Sequence, residues 1–379
     1  MTEQNNQSQE ELALLRAQIR AKDEEILRVV AERLELARKV GEVKLKLQLP
    51  IKDERTEQGV LEHARKMAKI YGVYTPLAEQ ISLLLMRYAV IAQDENHAKA
   101  SAVAAKLKRK TTIVGGLGRM GLWLADFFAD QGHTVTLLDL QTKTIDSEKR
   151  AQATSFRVSN DFEAAVSDAD IVVLATPISI TSSIIASLTN LKPRGLILDI
   201  CSLKSPLIAE INRARAAGLK IGSAHPMFGP NVEVMAGRNI LICDTGDIAV
   251  TDQIQNLFSK STATITRVSL EDHDRLMGQV LGHSHLCSLV FARSLQTSGL
   301  TFADLAAVSS TTFAAQLQVT KAVMGENPDL YFEIQYANSY TESVIRGVRQ
   351  SFIEYEAAIA NGDRKDFVKM MKEGHAYLS

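Results

Sequence analysis

Cysteine, tryptophan and proline are scarce in this chain, and it has no long apolar run. The three cysteines, Cys201, Cys243 and Cys287, form an odd set without metal-type spacing. That argues against a disulfide scaffold or a zinc site and leaves them as small buried hydrophobes in a reducing compartment. Without about 18 consecutive apolar residues no membrane-spanning helix is expected, and the polar stretch Met1–Glu10 lacks the apolar core of a signal peptide. Nor is one sign of charge in excess: 43 Lys and Arg stand against 44 Asp and Glu, a formal net charge of −1. This balance argues against a dedicated nucleic-acid binder, though a local basic pocket for an anionic substrate stays open. The 379 residues are an ordinary globular mixture, 46 % hydrophobic and 23 % charged. They suffice for several cores, so a cytoplasmic protein of more than one domain is expected.

The apolar residues Leu12, Leu15, Ile19, Ile26, Val30, Leu34 and Ala37 fall at helical spacing between Glu11 and Lys46. With no proline before Pro50, they predict one helix of about ten turns, preceded by a frayed polar end. Two more helices are expected over 54–71 and 76–93, separated by the breaker Gly72–Pro76. A three-helix unit this elongated has little core of its own. Asp94–Lys110 is rich in Ala and Lys and reads as a linker, helical or not.

From Thr111 the period changes. Strand-like runs at 112–114, 134–139, 170–176, 195–200, 219–223 and 239–243 alternate with helical stretches such as 120–131 and 180–188. This alternation predicts a parallel sheet covered on both faces. After Ser269 the pattern is helical, broken at Gly299 and Asn327–Pro328. The expected plan is an all-α three-helix unit over residues 1–95, a linker over 96–110, an α/β Rossmann-like domain over 111–268 and an all-α domain over 269–379.

Gly116, Gly118 and Gly121 form G-x-G-x-x-G between an expected strand and an expected helix, the context in which this motif binds a dinucleotide. Gly116 is assigned the tight turn, Gly118 the close approach of backbone to pyrophosphate and Gly121 the helix–strand contact. The next strand ends at Asp139, eighteen residues after Gly121. A carboxylate there accepts from ribose hydroxyls and repels a 2′-phosphate, which favours NAD over NADP; the alternative is an aspartate closing a strand as a turn former. Thr176 and Pro177 follow a further strand at its carboxyl end, where ligands of open α/β sheets lie. They are candidate nicotinamide neighbours, or a plain turn.

Of eight histidines, His225 stands apart, at a strand end within Gly222-Ser-Ala-His-Pro-Met-Phe-Gly-Pro230. Two prolines and a glycine behind it stiffen the loop and fix the imidazole. A histidine so held beside a nicotinamide can take the proton of a hydroxyl as hydride leaves the same carbon; a structural histidine is the other reading.

Ile113-Val-Gly-Gly-x-Gly-x-Met-Gly121, Asp199-x-x-Ser-x-Lys204 and His225-Pro-Met-Phe-Gly-Pro230 together resemble the prephenate dehydrogenase family, the last string being the most specific. The resemblance implies that His225 hydrogen-bonds the ring hydroxyl of the substrate and that Ser202 supports the histidine. It further implies that hydride passes to NAD⁺ as carboxylate leaves as CO2. Aromatisation then drives the reaction, so the protein has mainly to orient the ring and accept one proton.

On the first helix, Arg33 and Lys44 lie eleven residues apart, so they share a face about 16 Å apart along the axis and could bracket a small dicarboxylate. Arg16 lies about 25 Å before Arg33 and about 100° round, out of reach within one chain but within reach from an antiparallel partner helix. A solvated, charged helix is the other reading. Leu12-x-x-Leu-Arg16-x-x-Ile, Ala-Glu-Arg33-Leu-Glu-Leu-Ala and Val-Gly-Glu-Val-Lys44 resemble the all-helical chorismate mutase family. That resemblance implies a homodimer in which the first arginine crosses over. It also implies carboxylate binding by Arg16 and Arg33, attention to the ether oxygen by Lys44 and Gln93, and acidic substrate-site positions at Asp53 and Glu57. Two positions depart from the family: Thr56, with Arg55 one place early, stands where an arginine is expected, and Ala89 where a serine is.

Across nearly its whole length the chain resembles the bifunctional chorismate mutase–prephenate dehydrogenases, whose last domain dimerises. The resemblance places His273 near the substrate, a surface helix cap being the alternative. The family's carboxylate-clamping arginine falls on Ala322, with Lys321 beside it and Arg293 as a substitute cation. Chorismate and prephenate are the expected substrates, with no nucleic acid or membrane as partner. Two alternatives are a related cyclohexadienyl substrate, arogenate or 4-amino-4-deoxyprephenate, and a regulatory dinucleotide binder with a degraded second site.

Overall fold

The computed structural model describes residues 2–47, 49, 54–104, 108–139, 156–232, 235, 237–259 and 261–379. The elements in chain order begin with three helices, α1 (Thr2–Lys46), α2 (Glu54–Tyr71) and α3 (Thr75–Ala104). Next come β1 (Lys110–Val114), α4 (Arg119–Asp130), β2 (Thr134–Leu138), β3 (Arg157–Ser159), α5 (Phe162–Ser167), β4 (Ile171–Leu174), α6 (Ile178–Leu191) and β5 (Leu196–Asp199). They continue with α7 (Ile208–Ala216), β6 (Ile221–Pro226), β7 (Asn239–Asp244), α8 (Ile248–Phe258) and β8 (Thr264–Ser269). The rest is helical: α9 (Leu270–Met277), a π-helical turn (Gly278–His283), α10 (Ser284–Gln296), α11 (Phe302–Ala307), α12 (Thr311–Met324), α13 (Pro328–Tyr336), α14 (Thr341–Ala360) and α15 (Arg364–Leu378). The chain divides into two compact units, 1–160 with 226–241 and 252–266, and 161–225 with 242–251 and 267–379.

In the first unit α1 starts at Thr2 rather than after a frayed end, since no glycine or proline interrupts its opening turns. It stops at Lys46; Pro50 lies outside the described residues. Helix α3 runs on to Ala104 through most of the expected linker, because Ala, Lys and Glu are strong helix formers. Arg33 Nη1 donates to the carbonyl of Leu85 at 3.0 Å, and Gly41 lies against Gln93. Both contacts pair residues 52 apart, so α1 and α3 run parallel. Small buried side chains, Ala37, Ala64, Ala68 and Ala92, let the helices approach closely. Residues 9–29 of α1 are exposed throughout, with Leu27 68 % and Leu14 61 % accessible.

The same unit carries β1, β2 and β3 as parallel neighbours, Val114 opposite Leu138 and Leu138 opposite Ser159. Helix α4 buries Leu124, Ala125 and Phe128 completely, each large apolar side chain gaining about 1.5–3 kcal/mol. The second unit carries β4, β5 and β6, again parallel, with Asp199 opposite Ser223. Ile171–Leu174 and Leu196–Asp199 are buried along their whole lengths, as strands covered on both faces must be. The expected strand 219–223 starts later and extends through His225 to Pro226. Two strands had no expected counterpart: β3, only three residues long, and β8, which is largely exposed. In the helical part the π-turn is braced by Gln335, whose side chain donates to the Gly282 carbonyl at 2.8 Å, and Asn338 donates to the carbonyl of Asp274 at 2.9 Å.

The expectation of three buried cysteines is corrected at one position: Cys201 and Cys243 are buried, but Cys287 is exposed on α10. Burial pushes the thiols of Cys201 and Cys243 up to about 12, with the Asp199 carboxylate adding to it. A thiol that stays protonated is a poor nucleophile. Iodoacetamide on the native protein should therefore alkylate Cys287 ahead of the other two, which react only after unfolding. Mass spectrometry showing rapid native labelling of Cys201 or Cys243 would contradict this placement.

Candidate active sites

At the glycine loop the tight turn belongs to Gly115, with φ +77°, and not to Gly116. Gly116 is required by proximity: a Cβ there would stand 2.8 Å from the Leu137 backbone and from the Ile113 carbonyl. A Cβ on Gly121 would collide with the Gly115 carbonyl, so this glycine closes helix against loop. Gly118, exposed, is the N-cap of α4 and brings no side-chain hydrogen bond to it. The helix start is therefore left to an external acceptor, which suits a pyrophosphate. Asp139 lies one residue beyond β2, and its Oδ2 accepts from the amide of Leu117 in the loop at 3.3 Å. A carboxylate thus stands at the edge of the glycine loop. Trp123 on α4 donates from Nε1 to the Val232 carbonyl at 2.9 Å and meets the Phe228 ring edge-on at 5.1 Å. This contact, together with Arg119 to Asn231 at 3.3 Å, fastens the segment after His225 to the dinucleotide helix.

His225, 4 % exposed, is held from two directions. Its Nδ1 lies 3.0 Å from His273 Nε2, and His273 Nδ1 lies 2.6 Å from Asp274 Oδ1. The Asp274 carboxylate also accepts from the amides of Lys204 at 2.8 Å and Ser205 at 2.7 Å. From the other side the fully buried Lys204 ammonium donates to Asp199 Oδ1 and to the carbonyl of Ala224, each at 2.8 Å. The backbone next to His225 is therefore pinned by a lysine and its ring by a second histidine. Burial, then the neighbouring His273 and Lys204, hold the His225 pKa well below its usual value, so the ring is neutral at neutral pH. Burial also lowers His273, although its hydrogen bond to Asp274 works in the opposite direction.

The structure adds a partner for His225 that no motif indicated, His273. His273 is not a surface helix cap, since it is fully buried and both its ring nitrogens are engaged by protein groups. Lys321 is exposed, its ammonium 4.9 Å from the centre of the Phe302 ring. Arg293 pairs with Gln296 on its own helix at 2.7 Å. Thr176 and Pro177 sit at the carboxyl end of β4, where Pro177 caps α6 and the Thr176 hydroxyl lies 2.8 Å from that of Thr181. Lys204 and Asp274, which carry most of the network, had no assigned role in the sequence reading; the clue was a lysine and an aspartate in otherwise apolar or helix-capping surroundings.

In the helical unit Arg33, Ala37, Gly41 and Lys44 form one stripe at i, i+4, i+8 and i+11, with Arg33 and Lys44 half-buried. The stripe faces Leu85 and Gln93 on α3. Gln93 is buried, and its Oε1 has no partner among the described residues. A Cβ on Gly41 would stand 2.8 Å from Gln93 Cγ, so this glycine makes the room. Arg16, on the same unbroken helix but seventeen residues earlier, is exposed and is not brought to the stripe. Glu57 is half-buried on α2, and Asp53 lies outside the described residues.

Three domain families match the sequence: chorismate mutase type II over residues 15–94, the nucleotide-binding domain of prephenate dehydrogenase over 124–266, and the dimerization domain of prephenate dehydrogenase over 269–373. The chain is 30 % identical over 359 residues to the T-protein of Enterobacter agglomerans, covering 94 % of this chain and 90 % of that one. It is 25 % identical over 366 residues to the T-protein of Haemophilus influenzae, with 95 % and 90 % covered. Among solved structures, prephenate dehydrogenase from A. aeolicus, crystallised with hydroxyphenyl propionate and NAD+, superposes with a TM-score of 0.60 at 18 % identity, covering 72 % of this chain and 98 % of that one. That likeness establishes the Rossmann-like fold of the dehydrogenase part.

The Lys204–Asp199 pair gives a stability test. Lys204→Met leaves the Asp199 carboxylate buried without its counter-charge, which should cost about 3–5 kcal/mol. Adding Asp199→Leu should recover much of that loss, because an apolar pair needs no desolvated charge. Urea unfolding curves for the single and double variants measure both; a single variant within about 1 kcal/mol of the wild type would refute the pairing.

Proposed function

The chain belongs to the T-protein family, the bifunctional chorismate mutase–prephenate dehydrogenases of tyrosine biosynthesis, and from that premise we propose how its residues divide the two steps. The mutase unit occupies residues 1–95, the nucleotide-binding domain 111–268 and the helical dimerising domain 269–379, with 96–110 joining the first two. The observation that carries the dehydrogenase reading is His225, neutral, buried and oriented by Lys204 and His273.

The substrate of this step is prephenate, and the cofactor is NAD, which accepts the hydride when bound. Gly116, Gly118 and Gly121 hold its pyrophosphate at the start of α4, and Asp139 takes the ribose hydroxyls and discriminates against a 2′-phosphate. His225 accepts the proton of the ring hydroxyl as the carbon beneath it is oxidised; the ring carboxylate then leaves as CO2 and the ring becomes aromatic. Because aromatisation supplies the driving force, the protein's share is orientation and one proton transfer. Thr176 and Pro177, at a strand's carboxyl end, border the nicotinamide.

In the mutase unit Arg33 and Lys44 bracket chorismate, with Arg33 on a carboxylate and Lys44 and Gln93 at the ether oxygen, whose negative charge grows as its bond to carbon breaks. Asp53 and Glu57 border the substrate. Arg16 completes the pocket from the other protomer of a homodimer. Support comes from the wholly exposed stretch 9–29 of α1, which carries leucines and isoleucines that this chain leaves uncovered. Small anionic molecules are the partners in both steps, without nucleic acid or membrane; among the described residues no helix is long and apolar enough to cross one. The expected compartment is the cytoplasm.

Two experiments test this division. His225→Asn should lower kcat of the dehydrogenase by about 10²–10⁴-fold with NAD⁺ binding and mutase activity retained; near-normal turnover would remove the assignment. For the mutase, full-length Arg16→Ala and Lys44→Ala chains should each be inactive, yet regain about half the activity per heterodimer when mixed, since one pocket collects both defects and the other neither. No recovery after verified subunit exchange would place the whole site in one chain.

A further inference from the structure

The hydrogen bonds behind His225 form a chain whose proton positions can be worked out from one end. Asp274 Oδ1 accepts from the Lys204 amide at 2.8 Å and Oδ2 from the Ser205 amide at 2.7 Å. Burial alone would raise this carboxyl, but the hydrogen bonds from His273, Ser205 and Lys204 outweigh it and hold its pKa below the usual value. Asp274 is therefore ionised and can only accept. Its 2.6 Å contact with His273 Nδ1 then places a proton on that nitrogen. Burial keeps His273 neutral, so it has one ring proton and its Nε2 is an acceptor. The 3.0 Å contact between His273 Nε2 and His225 Nδ1 in turn requires the proton on His225 Nδ1. One nitrogen of His225 then remains, Nε2, which has no hydrogen bond among the described residues.

We propose that Asp274 and His273 are positioning residues that fix His225 in its Nδ1–H tautomer, so that its basic lone pair sits on Nε2. A histidine of the opposite tautomer in the same place would present an N–H and could not take a proton through that nitrogen. The lysine and the aspartate pair on the other side, Lys204 with Asp199, hold the backbone at Ala224 and leave the ring proton to the His273 side. The anchor is rigid: Asn338 donates to the Asp274 carbonyl at 2.9 Å, and Asp274 itself spans from α9 to the turn after β5. This inference rests on the reading of His225 as proton acceptor, but its first test does not depend on activity.

The test is nitrogen NMR of the full-length protein labelled with ¹⁵N-histidine, with the His225 signals assigned by their loss in His225→Asn. At neutral pH the wild type should show His225 protonated on Nδ1 and unprotonated on Nε2; an Nε2–H ring or a doubly protonated ring would overturn the proposal. In His273→Leu the acceptor is gone, so the His225 signals should move to the Nε2–H form and kcat should fall by about 10²-fold, with NAD⁺ affinity unchanged. Asp274→Glu, which keeps a carboxylate, should retain the wild-type tautomer. If His273→Leu leaves the tautomer and kcat as they were, the relay has no role. The two readings fail separately: the expected tautomer with an active His225→Asn removes the acceptor assignment, whereas an inactive His225→Asn with the opposite tautomer removes the relay alone.

Discussion

Burying a carboxylate is costly unless donors compensate its charge, and Asp274 has three of them, two backbone amides and one imidazole. Much else at the dehydrogenase site follows from this one group. It ties the turn after β5 to the start of the helical part, so that the Asp199-x-x-Ser-x-Lys204 segment and α9 cannot shift independently. The imidazole it holds reaches His225, which neither its own strand nor the proline-rich loop orients alone. The second buried charge, Lys204, works on the backbone rather than the ring. A buried ion pair of this kind fits a device for placement, since an apolar pair of similar volume is often no less stable.

The two chemistries make different demands on the fold. A unimolecular rearrangement needs cations fixed around a dianion and no proton transfer, and a long helix can place them by spacing alone. Arg33 and Lys44 are set by the helical period, and Gln93 by a glycine that leaves room for it. A neutral base such as His225 needs burial, which the α/β part supplies with its fully buried strands. The helical unit has no such core: its buried residues are mostly alanines, and half of α1 lies bare.

The glycine loop, the strand–helix alternation and the histidine loop were legible in the sequence because each is local: a turn geometry, a period, a stiff segment. Gly115 was missed as the turn residue because adjacent glycines leave the positive φ ambiguous until the register with β2 is known. Strands β3 and β8 were missed because one is three residues long and the other shows no buried face. The pairing of His225 with His273 joins residues 48 apart, a distance no periodicity reports. For the same reason Lys204, 21 residues before His225 in a separate motif, was passed over.

The account turns on His225 being a neutral base at neutral pH. A histidine whose protonation is opposed by burial, by His273 and by the Lys204 ammonium keeps its basic form to lower pH than a free one. The direct measurement is kcat/KM of the dehydrogenase for prephenate as a function of pH, which reports the ionisations of the free enzyme. The acid limb should lie clearly below 6.5, the ordinary value for histidine, and should disappear in the residual activity of His225→Asn. An acid limb at or above 6.5, or one that survives the substitution, would contradict the account.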